Sequence, residues 1–405
     1  MLCDRAQVLR SVRLRLTMKP TAALHTLQTR ESLHASQSRV PQLDGLRGIA
    51  VLSVILYHYV PVVSVSQGGF WSSLLGWVRL GRYGVDLFFV LSGFLIGGIL
   101  LDSKESPRYF RTFYLRRFHR IFPLYYFWLA IYAALGLTVF PNLPDSIKAT
   151  WSGWRPLLVY ALFVQNLVSK QIVGISAAWL GPLWSLAVEE QFYLLMPLAV
   201  RFLHKRRLAQ LLVATVLLSP ALRVVVSKWY SHADQFVATP LRADGLAMGV
   251  LLALALREQT CRRLITRNPK WLYVIIAMFV VGILCLAPRA FAPGGRSAVW
   301  VFSVLDPLFA AIILLALVRP GGWWAYFCRQ TALRNLGVVS YCIYVIHLAV
   351  ISICQGLLHV LYKTGSFAVE FSSVLLAFII TWLLAKISWR YLESPMVRRG
   401  HTYTY

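Results

Sequence analysis

Residues 43–61 read LDGLRGIAVLSVILYHYVP. A helix needs about 20 largely apolar residues to cross the hydrocarbon core of a bilayer, and this run supplies them. It also carries Asp44, Arg47 and His58. An ionised group at the centre of a span costs at least roughly 2.5–3.5 kcal/mol, so such groups persist there when they are paired or line a polar cavity. The stretch therefore predicts an all-α, polytopic membrane helical bundle whose function resides in its buried ionisable groups.

Composition points the same way. Of 405 residues, 58% are hydrophobic and 14% charged. A soluble chain of this length would divide into domains with polar rinds rather than carry so much apolar surface. The 41 Lys and Arg outnumber 15 acidic residues, for a net charge of +26. Those bases cluster between apolar runs, as orienting loop charges do, and this placement argues against nucleic acid as a partner. The six cysteines are scattered without a CxxC, so neither a metal site nor a structural disulfide is expected.

Apolar runs near 45–64, 84–101, 121–140, 180–202, 208–226, 240–256, 271–288, 298–318, 338–360 and 367–387 predict about ten transmembrane helices. The run 157–168 is too short to cross and reads as a re-entrant or interfacial helix. Residues 1–40 hold seven Lys or Arg and no apolar signal-peptide core, so they are expected to be a basic, disordered cytoplasmic lead, with Met18 an alternative start. Residues 41–400 form the membrane domain. With the N-terminus inside, 29 Lys and Arg fall on the cytoplasmic side and 11 outside. Both termini are thus expected in the cytoplasm of a multi-pass protein of the cell (inner) membrane.

Acidic residues are few, and Asp44, Asp86, Glu189, Glu190, Asp244 and Asp306 fall within or beside these spans. Each alone could simply neutralise an arginine; the set predicts a polar cavity. Arg47 and His58 share one helix face, about 16 Å apart along the axis. Asp44 precedes Arg47 by three residues and can pair with it. Asp86, in GVDLFFVLSGFLI, could orient His58 or pair with an arginine. Gly93, Gly97 and Gly98 in the same span let another helix approach closely. In RRFHRIFP, Arg117 and Arg120 at i, i+3 can address one anion, and arginine suits phosphate capture. Ser185, Glu189 and Tyr193 repeat every four residues as a polar stripe in an otherwise apolar helix. Arg242 and Asp244 lie too close in sequence to share a face cleanly, while Tyr344 and His347 are spaced i, i+3. The ending SWRYLESPMVRRG reads as a structural lock, with Glu393 available to Arg390 or to the basic loops.

Together LDGLRGIAVLSVILYH, GVDLFFVLSGFLI, RRFHRIFP, WSLAVEEQFYLLMP, LRADGLAMG, SYCIYVIH and YLESP resemble, in order, the acyltransferase 3 family of integral membrane acyltransferases. The resemblance covers about residues 42–397. It implies transfer of an acyl group, foremost acetyl from acetyl-CoA, to a hydroxyl of a surface or exo-polysaccharide or a lipid-linked sugar. Acetyl-CoA or another acyl-CoA is then a co-substrate, with no permanently bound cofactor. It further implies that Arg47 and His58 are required for activity, His58 as base or transient acyl carrier, and that Arg117 and Arg120 serve the acyl-donor end. Glu189 and Arg47 would hold the donor, supported by Asp44, Asp86, Ser185, Tyr193, Arg242 and Asp244. Membrane lipid is a further partner, and a homo-oligomer or polysaccharide-assembly partners are compatible. Some relatives carry a C-terminal SGNH domain. None follows before Tyr405 in this sequence, so a stand-alone transferase is expected. A proton-coupled transporter of a small solute or sugar is the rival reading, weakened by the absence of an internal repeat.

Overall fold

The computed structural model describes residues 40–63, 78–139, 155–168, 179–228, 237–290, 298–362 and 366–405. The expected disordered lead therefore lies outside the described residues, apart from Val40. Among the described residues every regular element is helical. The α-helices run α1 Pro41–Val63, α2 Gly84–Asp102, α3 Tyr109–Thr138, α4 Arg155–Ala161 and α5 Trp184–Phe202. They continue as α6 Lys205–Val226, α7 Ala243–Arg257, α8 Gln259–Arg267, α9 Lys270–Ala290 and α10 Ala298–Val318. The last are α11 Trp323–Cys328, α12 Thr331–Tyr362, α13 Phe367–Ser388 and α14 Ser394–His401.

Each predicted span falls on a helix, but not all qualify as spans on length and composition. Seven described helices do, or eight if the pair α8–α9, bent by 85°, is one broken span. The other two predicted spans are α5 and α7. Glu189 and Glu190 lower the apolar character of α5, and α7 has only 15 residues, about 22 Å of helix. Among the described residues the chain is thus an all-helical bundle with seven candidate spans, or eight with the bent pair. The short run at 157–168 forms the seven-residue α4 and then a turn, in keeping with a segment that does not cross. The third helix begins twelve residues before its predicted span. Its arginine-rich approach is good helix former and simply extends the apolar segment.

Two close helix contacts set the frame. On α1, a Cβ at Gly48 would lie 2.0 Å from the Leu333 carbonyl oxygen, and one at Gly337 on α12 would lie 1.8 Å from that of Asp44. Backbones this close tolerate no side chain, so α1 and α12 pack as a small-residue seam. A second seam joins α2 and α7, where Gly93 faces Leu246 and Gly249 faces Val90. Gly97 packs against Val250, as expected, whereas Gly98 meets only the Arg257 side chain. The periphery is apolar instead of charged: Phe371, Leu375, Ile379 and Leu383 stand exposed along α13, where a bilayer would cover them.

Candidate active site

One cavity gathers the arginines and the polar stripe. It offers about 90 Å³ among α1, α2, α3, α5 and α12, and Arg47, Arg117, Arg120, Ser185, Glu189 and Tyr193 all line it. Gly48 is pressed against α12, so Arg47, about 100° round the helix, is turned to the cavity. The Arg117 Nε is buried with no hydrogen-bond partner. Arg120 is placed by the C-terminal segment: its Nη1 lies 3.9 Å from Glu393 Oε2, and its guanidinium sits 5.6 Å from the Trp389 ring centroid. A π-helical turn, Trp389–Glu393, delivers Glu393 inward, where Ser388 Oγ donates to its Oε1 at 3.2 Å. The segment does lock the basic face, though through Arg120 rather than Arg390. Thr112 Oγ1 donates to the Thr404 carbonyl and Arg116 Nε to that of Tyr403, both at 2.9 Å.

Opposite the arginines, both oxygens of Glu189 accept hydroxyl hydrogen bonds, from Ser92 at 3.1 Å and Tyr193 at 2.9 Å. Ser185 and Tyr344 share a 2.7 Å hydroxyl contact, and Tyr344 also donates to the Pro182 carbonyl at 2.9 Å. The i, i+4, i+8 stripe is therefore real, and all of it faces one cavity. Glu190 Oε1 is buried without a partner.

His58 is not a lining residue of this cavity; it lies further along α1. Its ring meets His347 of α12, with centroids 4.9 Å apart. The hydrogen bonds assign the protons. His347 Nδ1 lies 2.7 Å from the Tyr344 carbonyl and His58 Nδ1 lies 2.9 Å from that of Val54. A carbonyl only accepts, so each Nδ1 carries a hydrogen. His347 Nε2, bare, then accepts from His58 Nδ1 at 3.2 Å as a second branch of that donor. The lone pair left available is on His58 Nε2. His347 is fully buried, and Tyr59 OH donates to its carbonyl at 3.0 Å. The sequence flags His347 only by its spacing from Tyr344; no local signal says that it meets His58.

Of the two roles open to Asp86, the structure shows the pairing with an arginine: its Oδ1 receives Arg242 Nη2 at 2.5 Å. Two expectations need correcting. Arg242 and Asp244 are not at the cavity. Asp244 pairs at 2.7 Å with Arg223, a fully buried arginine of α6 that the sequence left unmarked inside an apolar run. These two ion pairs, with Asp306 nearby, form a separate buried ionic core. The Asp44–Arg47 pair does not form either, as no N···O approach within 4.0 Å joins them among the described residues. Asp44 occupies the first turn of α1, where the helix N-terminus itself favours a carboxylate. Among the described residues, no group of three His, Cys, Asp or Glu is arranged to hold a metal ion.

Comparison with known proteins fits this arrangement. The family model described as an acyltransferase domain, acyltransferase 3, matches residues 40–386. The chain is 27% identical over 385 residues to the O-acetyltransferase OatA of Staphylococcus aureus (strain NCTC 8325), covering 89% of this chain and 58% of that protein. It is 25% identical over 376 residues to the peptidoglycan O-acetyltransferase OatA of Listeria monocytogenes, covering 90% of this chain and 57% of that protein. The chain thus spans a little over half the length of these relatives. No solved structure matches it. The match runs through the arginine cavity, the Glu189 stripe and the histidine pair alike, and the chain belongs to the acyltransferase 3 family.

Proposed function

We propose that the chain is a membrane-embedded O-acyltransferase that moves acetyl from acetyl-CoA to a hydroxyl of a polysaccharide, of the peptidoglycan type that the Listeria relative's name specifies. The observation that carries this reading is a shared geometry of α1 and α12. Each presents a polar group to the cavity, Arg47 and Tyr344, and a histidine to the other helix further along, His58 and His347. Arg117 and Arg120 hold the phosphates of the donor, for which fixed guanidinia are suited. The thioester then extends along α1 towards His58.

His58 Nε2 takes the proton of the acceptor hydroxyl as its oxygen attacks the thioester carbonyl. The C–O bond forms, the C–S bond breaks, and the CoA thiolate leaves with the proton returned by the imidazolium. A proton on His347 Nε2 would point at the hydrogen of His58 Nδ1, so the pair takes up its proton on His58 Nε2. Arg47 offsets the negative charge that develops on the carbonyl oxygen. Glu189 is held by Ser92 and Tyr193 as a fixed countercharge to the arginines.

In the same reading the protein crosses the cell membrane ten times, α5, α7 and the bent α8–α9 pair included, with both termini in the cytoplasm beside the acyl-CoA pool. The test is transfer of radiolabelled acetyl from acetyl-CoA to an oligosaccharide by the purified chain. His58→Ala should lower it by about 10²-fold or more, the scale of general-base catalysis. Transfer at the unchanged rate would overturn the assignment.

A further inference from the structure

A second cavity, about 300 Å³, lies on the opposite side of α1 and α2. The two helices serve both spaces with different faces: Arg47 and Ser92 look into the first, Leu46, Ile49 and Leu87 into the second. Its wall is almost wholly apolar. Of its two hydroxyl-bearing residues, Ser53 is committed to the Ile49 carbonyl at 2.9 Å, so the interior suits hydrocarbon. Val280 and Leu284 of α9 line it and are 40% and 42% exposed, which opens it sideways towards lipid.

One end of this groove is cationic. Leu80 and Tyr83 line it, and both belong to the 3-10 turn Arg79–Tyr83, which also carries the exposed Arg79 and the half-buried Arg82. A Cβ at Gly81 would lie 2.2 Å from the Ser53 carbonyl, so the turn is clamped onto α1. The Arg82 guanidinium lies 5.9 Å from the Tyr57 ring centroid, and Tyr57 stacks edge-on against His58 at 4.7 Å. The groove, its cationic end and the histidine pair are therefore contiguous.

We infer that the groove holds the chain of a polyprenyl phosphate-linked sugar, with the phosphate at Arg79 and Arg82 and the sugar hydroxyl presented to His58. This rests on the transferase reading above and names the form of its acceptor. Hydrocarbon matches the wall, phosphate matches the arginines, and the short path from Arg82 to His58 matches a sugar joined directly to that phosphate. A free oligosaccharide would engage neither the wall nor the cationic end.

The test uses the purified full chain in phosphatidylcholine nanodiscs with labelled acetyl-CoA. Two acceptors are compared, farnesyl phosphate-linked chitobiose and free chitobiose. The wild type should prefer the farnesyl-linked acceptor by at least tenfold in kcat/KM. Leu284→Trp, at an exposed wall position, and Ile312→Trp should each raise KM for it tenfold or more and leave free chitobiose unaffected. Arg79→Glu should do the same. Equal use of both acceptors by the wild type, or equal effects of the substitutions on both, overturns the proposal. Transfer to neither acceptor would sink the transferase reading instead. Native mass spectrometry then still decides the groove: farnesyl-linked chitobiose bound by the wild type and lost in Ile312→Trp supports it, and retained phosphatidylcholine that this ligand does not displace overturns it.

Discussion

At the scale of single residues, the histidine pair separates two roles that activity alone would merge. His58 presents the available lone pair, and His347 only fixes its tautomer through Nε2. His347→Ala should therefore lower kcat by roughly 10-fold to 10²-fold, with the KM for acetyl-CoA unchanged; steady-state kinetics check this. His347→Gln, which keeps an acceptor, should recover part of the loss. Arg117→Ala should instead act on the donor, raising the KM for acetyl-CoA about tenfold or more while the protein still inserts. Much of this was legible in the sequence. Arg47, Arg117, Arg120, Ser185, Glu189 and Tyr193 meet in one cavity, because spacing along a helix already tells which residues share a face. The partners of Asp86 and His58 were not legible, since these depend on which helices become neighbours.

Among elements, the seams do the positioning. Gly48 and Gly337 bring α1 and α12 into backbone contact, and both histidines hang from that contact. Gly337→Leu should force the helices apart and abolish transfer together with stability, seen as a lowered unfolding temperature in detergent. Gly356, with nothing within 4 Å of its Cβ position, is the control, and Gly356→Ala should leave both unchanged. The sequence revealed the glycines of α2 as packing residues, but not which helix would use them. Its limits for α3 and α12 were also narrower than those helices, because hydropathy marks where a helix is apolar, whereas α3 continues into its arginines.

For the molecule as a whole, the ionic core and the membrane orientation make separate demands. Asp244→Asn would strand the fully buried Arg223, and breaking a buried pair costs about 3–5 kcal/mol. A large loss of folded protein in a thermal solubility assay is expected, against little change for Asp102→Asn, whose exposed pair with Arg257 is worth about 1 kcal/mol or less. Orientation is tested by a single cysteine: Arg207→Cys in a cysteine-free background should react with an impermeant maleimide only after the cells are opened. The bias of basic residues carries the expectation of orientation that this labelling tests, while the ionic core was only half visible in the sequence. Its acids stood out in apolar runs, but Arg223 lay in one without drawing attention.

That core also bears on how the protein is made. Arg223 sits near the end of α6, and its carboxylate partner belongs to α7, synthesised later. Until Asp244 emerges from the ribosome, α6 carries an unneutralised cation, which is costly in lipid. Arg242, leading α7, is in turn answered by Asp86, already in place on α2. In the ten-span reading proposed above, α6 and α7 are therefore expected to enter the bilayer together, as a hairpin against a nascent α2.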